Sequence, residues 1–369
     1  MELNYLYRLK KSIAEKIKDI LGDEDARQAA RDHHAKRLPR HCGMTIHTGI
    51  GCNMGCVYCY IRDMGFPLKP QPYPLSPLQL VYALTLNPYV VPKRTLAAYG
   101  SVTEPFLPET SEKAISYMKE VHRWLELPSQ VSTKQEITPL VAKKLREIDP
   151  GFSVLISVSS WDGWAKKLEP GAPPPSARIA SARHAVEAGL HVSLFIRPII
   201  PGITDRDAVK LINAASESGI QGMVLGSLRV TPDIIRRLDL AGVEPEPILQ
   251  RLHRQPKPNV QVPINTVPEK ERIRKIAEEY KIPVYPSACS ANIIAHGQGC
   301  NACPWGPCGK PVEVSEEDLQ ETLKIAGIQA KIRVEGHKVL VYAPNRRTAV
   351  RASRLISSGA RLQAVIVKH

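Results

Sequence analysis

The sequence predicts an α/β fold: a partial (β/α)6 barrel of the TIM-like kind, followed by a cysteine-rich metal segment and a small basic α+β C-terminal domain. Three observations carry this. Short apolar runs alternate with helix-periodic stretches from about residue 43 to 285, as in repeated βα units on a parallel sheet. The eight cysteines fall in clusters, which suits metal ligands in a reducing compartment better than a disulfide framework. From 331 to 369 there are nine Lys or Arg against one acid, Glu335. The divisions expected are an N-terminal helical region (1–40), the barrel (41–285), the cysteine segment (286–312) and the basic domain (313–369).

A chain of 369 residues with 43% hydrophobic content can fill one large core and an appendage. Lys plus Arg exceed Asp plus Glu by 50 − 36 = 14, and the sequence pI is about 9.4. Such a balance suits a polyanionic partner, or a charge-rich surface with no such partner. No run approaches the ~20 apolar residues of a bilayer span, and the N-terminus reads as an amphipathic helix rather than a secretion signal. A cytoplasmic protein without a membrane partner is expected. The helix ends in a basic patch of Arg31, His33, His34, Lys36, Arg37 and Arg40, whose two histidines read as solvated. Cys42 reads as a buried or free thiol.

The strand runs are GMTIHTG (43–49), RTLAAYG (94–100), SQVSTK (129–134), FSVLISVSS (152–160), HVSLFIRPII (191–200) and GMVLGSLRV (222–230), with IPVYP (282–286) a possible seventh. Helical stretches lie between them, with Ser111, Thr138, Ser176 and Asp205 as candidate caps. Alternation puts Val154, Ile156, Val158, Val192, Leu194 and Ile196 towards covering helices. It puts Leu155, Ser157, Ser159, Ser193, Phe195 and Arg197 on the inner face. Polar groups inside a barrel are costly without a partner or ligand, and active sites on such sheets lie at the carboxyl ends of the strands. Ser157, Ser159 and Arg197 are therefore candidates to face a bound polar molecule.

The segment HTGIGCNMGCVYCY (47–60) sets Cys52, Cys56 and Cys59 in a C-x3-C-x2-C run, with Tyr58 just ahead of the last cysteine. Three thiolates from one loop can hold three irons of a cubane and leave the fourth open; the same residues could also make a zinc site with a distant fourth ligand, or be buried thiols. The spacing and its setting after a β-like run resemble the radical S-adenosylmethionine (SAM) superfamily. Gly100-Ser101-Val102-Thr103-Glu104-Pro105, Ser132-Thr133-Lys134 and the stretch from Leu168 to Asp205 resemble its spore photoproduct lyase and DNA-repair-photolyase-like branch, over about 43–230. The resemblance implies a [4Fe-4S] cluster on the three cysteines and reductive cleavage of SAM to a 5′-deoxyadenosyl radical. It also implies SAM contacts from Thr103 and Glu104 at the methionine amino end, Lys134 at the carboxylate and Ser157 at the ribose or carboxylate; Tyr58, Gly100, Ser159 and Arg197 complete the candidate cofactor-binding residues. Glu169 and Arg178 read either as a surface ion pair or as a pair fixing the loop over the site.

Residues 286–310 place Cys289, Cys300, Cys303 and Cys308 in a C-x10-C-x2-C-x4-C array rich in Gly and Pro. Such a segment has no core of its own, which points to a closed metal site, either a second [4Fe-4S] cluster or zinc. His296 within the array reads as a loop histidine. In the last domain Arg347, Arg351 and Arg354 share one helix face, and with Arg346 they are candidates for contact with the phosphates of RNA or DNA. The function expected is a radical SAM enzyme modifying or repairing nucleic acid, RNA ahead of DNA, with a reductant such as ferredoxin or flavodoxin. A small-molecule, lipid or peptide substrate, and a non-catalytic nucleic-acid-binding Fe-S or zinc protein, are the alternatives.

Overall fold

The computed structural model describes residues 2–39 and 43–368; Arg40 and Cys42 lie outside them. Seven strands form one parallel sheet in sequence order: β1 (Met44–Ile46), β2 (Ala97–Tyr99), β3 (Ser129–Thr133), β4 (Ser153–Val158), β5 (His191–Ile199), β6 (Gly222–Ser227) and β7 (Val284–Tyr285). The seventh run is thus a strand, paired Val284 to Met223 and Tyr285 to Val224. The end strands do not pair with each other among the described residues, so the barrel is open.

Helices α1 (Leu3–Arg31), α2 (Pro77–Leu86), α3 (Ser111–Leu125), α4 (Pro139–Ile148), α5 (Asp162–Leu168), α6 (Pro175–Glu187), α7 (Thr204–Glu217), α8 (Pro232–Leu240) and α9 (Val267–Glu279) accompany the sheet. Val154, Ile156, Val158, Val192, Leu194 and Ile196 join the main core, as the alternation requires. Thr138 caps α4 by accepting from Val141 N. The other expected caps are not caps: Ser111, Ser176 and Asp205 lie one or two residues inside their helices, behind Thr110, Pro174 and Ile203. Ser176 instead donates to Asp162 at 2.6 Å, and Asp205 accepts from Gly202 N at 2.7 Å. Short polar side chains bond a neighbouring side chain or loop backbone as readily as a helix end.

Helix α10 (Ala288–Ala295) fills the inside of the sheet. Ala291 packs with Leu155, Phe195 and Val224, and Gln130 Nε2 donates to Ala288 O at 2.9 Å. The C-terminal part follows as α11 (Glu316–Ile325), β8 (Lys331–Glu335), β9 (Lys338–Tyr342), α12 (Arg346–Leu355) and β10 (Gln363–Lys368), its three strands in one sheet. It shares a core with the start of the chain: Leu3, Leu6 and Tyr7 pack with Leu319, Leu323 and Leu355. Asp318 accepts from Leu3 N at 2.7 Å and Asn4 N at 2.9 Å, so the first turn of α1 is capped from the far end of the chain. His34 is fully buried rather than solvated. Its ring bonds Asp32 at 2.8 Å and accepts from His47 N at 3.1 Å. No helix among the described residues is long and apolar enough to cross a membrane.

Candidate active site

The loop after β1 carries Cys52, Cys56 and Cys59. It turns through Gly51 (φ +81°) and Gly55 (φ +68°), and a Cβ on Gly51 would lie 2.5 Å from Lys69 O. The loop is held from outside by Val57 N donating to Leu168 O at 2.9 Å and Gly171 N donating to Met54 O at 2.9 Å. Both Nη atoms of Arg237 donate to Cys59 O at 3.0 Å while the same guanidinium pairs with Asp63. Sequence reasoning missed Arg237. An arginine four residues after Asp233 reads as an exposed helical ion pair, and only the tertiary fold shows where it points.

The three cysteines open onto a cavity of about 280 Å³ at the carboxyl ends of the strands. Tyr58, Gly100, Thr103, Glu104, Lys134, Ser157 and Arg197 also line it, so one cavity gathers all but one of the expected SAM-binding residues. Ser159 is the exception. It is buried outside the cavity lining, its Oγ donating to Glu169 at 2.9 Å and its carbonyl accepting from Thr204 Oγ1 at 2.5 Å. Strand alternation does not extend to it, because β4 ends at Val158. Gln130, Ser132, Arg229 and Gln261 line the cavity without having been assigned a role.

Gly100 has φ +83°, and a Cβ there would sit 2.0 Å from Ser132 O, so the strand end requires glycine. Thr103 Oγ1 donates to Gly49 O at 2.9 Å, tying this turn to the cysteine loop. The Glu104 carboxylate accepts from Thr133 Oγ1 (2.6 Å), Lys134 N (2.8 Å) and Phe106 N (3.2 Å). Burial raises its pKa against those bonds. Its side chain therefore ties the turn after β2 to the end of β3.

Glu169 and Arg178 are not a surface pair. Both side chains are 0% exposed and meet at 2.5 Å. Arg178 also donates to Ser157 O at 2.6 Å, and Glu169 accepts from Tyr58 OH. The exposed-pair reading failed because sequence gives charge but not depth. Lys134 lies 5.7 Å from the Tyr58 ring centroid. Burial works against its charge, but Cys56 and Glu169 outweigh that and raise its pKa. Burial pushes the Cys56 thiol up to about 12, with Lys134 opposing.

The described cysteines are free thiols, and among the described residues neither array is closed into a ligand sphere. Their chemistry suits metal nonetheless. Three thiols line a cavity that a lysine, an arginine and hydroxyls line as well, a donor set that fits an iron-sulfur cluster beside a zwitterionic, ribose-bearing ligand. In the second segment Cys300 and Cys308 exchange backbone hydrogen bonds at 2.8 Å each way, and Ser287 and Ser290 hydroxyls lie 2.9 and 3.2 Å from the Cys289 and Cys308 sulfurs. Both nitrogens of His296 are engaged elsewhere, with Asn292 O at 2.9 Å and Asp149 at 3.0 Å.

The fold and this site define a class. The Radical SAM superfamily profile matches residues 46–215. Structures of spore photoproduct lyase are similar to it. One mutant aligns with TM-score 0.55 and 14% identity over 71% of this chain and 85% of that one. Another, with bound AdoMet and dinucleoside spore photoproduct, aligns with TM-score 0.56 and 15% identity over 75% and 94%. Among curated proteins, an uncharacterized ORF301 protein of Acidianus two-tailed virus is 26% identical over 184 residues, 46% of this chain and 60% of that relative's length.

Proposed function

We propose that the chain cleaves SAM reductively and uses the resulting radical on a nucleic acid. The observation that carries the reading is the meeting of Cys52, Cys56 and Cys59 with the Gly100–Glu104 turn and Lys134 in one cavity. Cys52, Cys56 and Cys59 would hold a [4Fe-4S] cluster, which, reduced by a ferredoxin- or flavodoxin-like donor, would supply the electron for reductive cleavage of SAM to methionine and a hydrogen-abstracting 5′-deoxyadenosyl radical. The chain's own residues orient. Lys134 faces the carboxylate of SAM, the Gly100 turn offers backbone to its amino group, and Ser157 with Ser132, 3.0 Å apart, faces hydroxyls. The buried Glu169–Arg178 pair holds the Tyr58 hydroxyl and so the aromatic wall beside Cys59. Cys289, Cys300, Cys303 and Cys308 form a second metal site, a [4Fe-4S] cluster in preference to zinc, on the segment whose helix floors the cavity through Ala288.

The nucleic-acid reading rests on α12, where Arg346, Arg347 and Arg354 are exposed and Arg351 is half-buried on the same helix. One of the similar lyase structures holds a dinucleoside spore photoproduct, which supports keeping DNA repair beside RNA modification. The test is 5′-deoxyadenosine release by anaerobically reconstituted, reduced protein, alone and with cellular RNA or DNA. Release that Cys56→Ala abolishes, and that one nucleic acid stimulates, supports the reading and chooses between RNA and DNA. Release indifferent to both moves the substrate to small molecules, and no release under any condition removes the enzyme reading.

A further inference from the structure

One buried charge has no role in this chemistry. Arg361, counted above with the basic residues of the C-terminal domain, is only 3% exposed. It follows α12 in a left-handed conformation, φ 55°. Its Nε donates to Arg94 O at 2.9 Å, Nη1 to Gly299 O at 3.3 Å and Nη2 to Lys93 O at 3.5 Å. Carbonyls satisfy N–H groups but cancel no charge, and among the described residues no carboxylate pairs with this guanidinium. A buried, uncompensated cation is costly. Arg94, itself near Asp318, also lies close to it.

What Arg361 does hold is Cys300, from both sides. Its guanidinium takes Gly299 O and its own carbonyl accepts from Asn301 N at 2.7 Å. Cys300 is paired through backbone to Cys308, and glycine is required on both sides of this bridge: a Cβ on Gly299 would lie 1.4 Å from Lys310 O, and one on Gly309 would lie 2.0 Å from Gln298 O. Four thiolates around a divalent core, zinc or [4Fe-4S], leave a net charge of about −2. That anion is the missing partner.

We propose that Arg361 is the buried counter-charge of a dianionic four-thiolate centre at Cys289, Cys300, Cys303 and Cys308. The C-terminal domain thereby supplies a positioning residue to that centre, and its docking depends on metal occupancy. The inference rests on the reading of the four cysteines as a metal site.

The experiment uses the full chain with Cys52, Cys56 and Cys59 changed to Ala, so that only the second site loads. It is reconstituted anaerobically with iron and sulfide, and separately with zinc, and compared with the same chain carrying Arg361→Gln or Arg361→Lys. The readouts are metal lost to a chelator, the midpoint potential of the iron form, and proteolytic release of the C-terminal domain with and without metal. Arg361→Gln is expected to lose metal about ten- to a hundredfold more readily and to lower the potential, with Arg361→Lys keeping the potential nearer the parent. Metal should protect the C-terminal domain from cleavage only when Arg361 is present. If Arg361→Gln is folded with unchanged retention and potential, Arg361 is a backbone tie and the proposal is overturned. If the Arg361-bearing parent holds neither iron nor zinc, the metal-site reading itself fails. Should Arg361→Gln not fold, Arg361→Lys decides through potential and retention in the same way.

Discussion

Arg178 and Glu169 meet at 2.5 Å with both side chains fully buried, and the carboxylate also accepts from the hydroxyl of Tyr58, which stands between Cys56 and Cys59. This ion pair connects α6 to the cysteine loop. Removing one partner leaves a buried charge, a loss of about 3–5 kcal/mol. Arg178→Met should therefore lower unfolding free energy by that order and reduce iron retained on Cys52, Cys56 and Cys59. Arg178→Met with Glu169→Gln should recover part of the stability. Chemical denaturation of the three proteins checks this, and a single variant within about 1 kcal/mol of the parent contradicts it.

Gly100 can carry no side chain without displacing Ser132 O. The strain at positive φ is about 1–3 kcal/mol, and it falls on the backbone that faces the cavity. Gly100→Ala should weaken SAM binding by about tenfold or more while the far C-terminal domain stays folded. Equilibrium binding of SAM to the reconstituted protein measures it.

Asp149 sits under the sheet, accepting from Ser129 N (3.2 Å), Gly151 N (2.9 Å) and His296 Nε2 (3.0 Å), with His122 Nδ1 3.4 Å away. Burial alone would raise its carboxyl, but His122 and His296 outweigh burial and hold it far below the usual range. A carboxylate depressed on folding contributes stability that is present above its unfolded pKa of about 4 and is lost as pH falls below it. Asp149→Asn should be less stable than the parent near neutrality, and the two should converge as pH falls from about 4 to 2. Parallel stability profiles over that range would show that Asp149 does not carry the acid sensitivity.

Arg347, Arg351 and Arg354 lie on one helix. If they neutralise phosphates, changing all three to Gln should reduce the slope of log affinity against log salt by up to about 2.7, at roughly 0.9 per phosphate contact on duplex DNA or 0.7 on single strands. Filter binding at several salt concentrations reads this directly, and an unchanged slope sends the stripe back to a solvated surface.

Where the information is local, the sequence by itself determined the outcome. The period-two alternation of VLISVSS and HVSLFIRP assigns inner and outer faces, because a strand's geometry forces successive side chains apart, and the cysteine spacings and the run of βα units need nothing beyond neighbouring residues. Depth and long-range partners are different. Glu169 and Arg178 as letters could be an exposed pair, His34 a solvated histidine, Arg237 a helical surface charge and Arg361 one more member of a basic tail. Only the tertiary structure buried each of them, because the cost of a buried charge is set by what the rest of the chain brings within hydrogen-bonding reach: Tyr58 for Glu169, His47 for His34, Cys59 O for Arg237 and the backbone around Cys300 for Arg361.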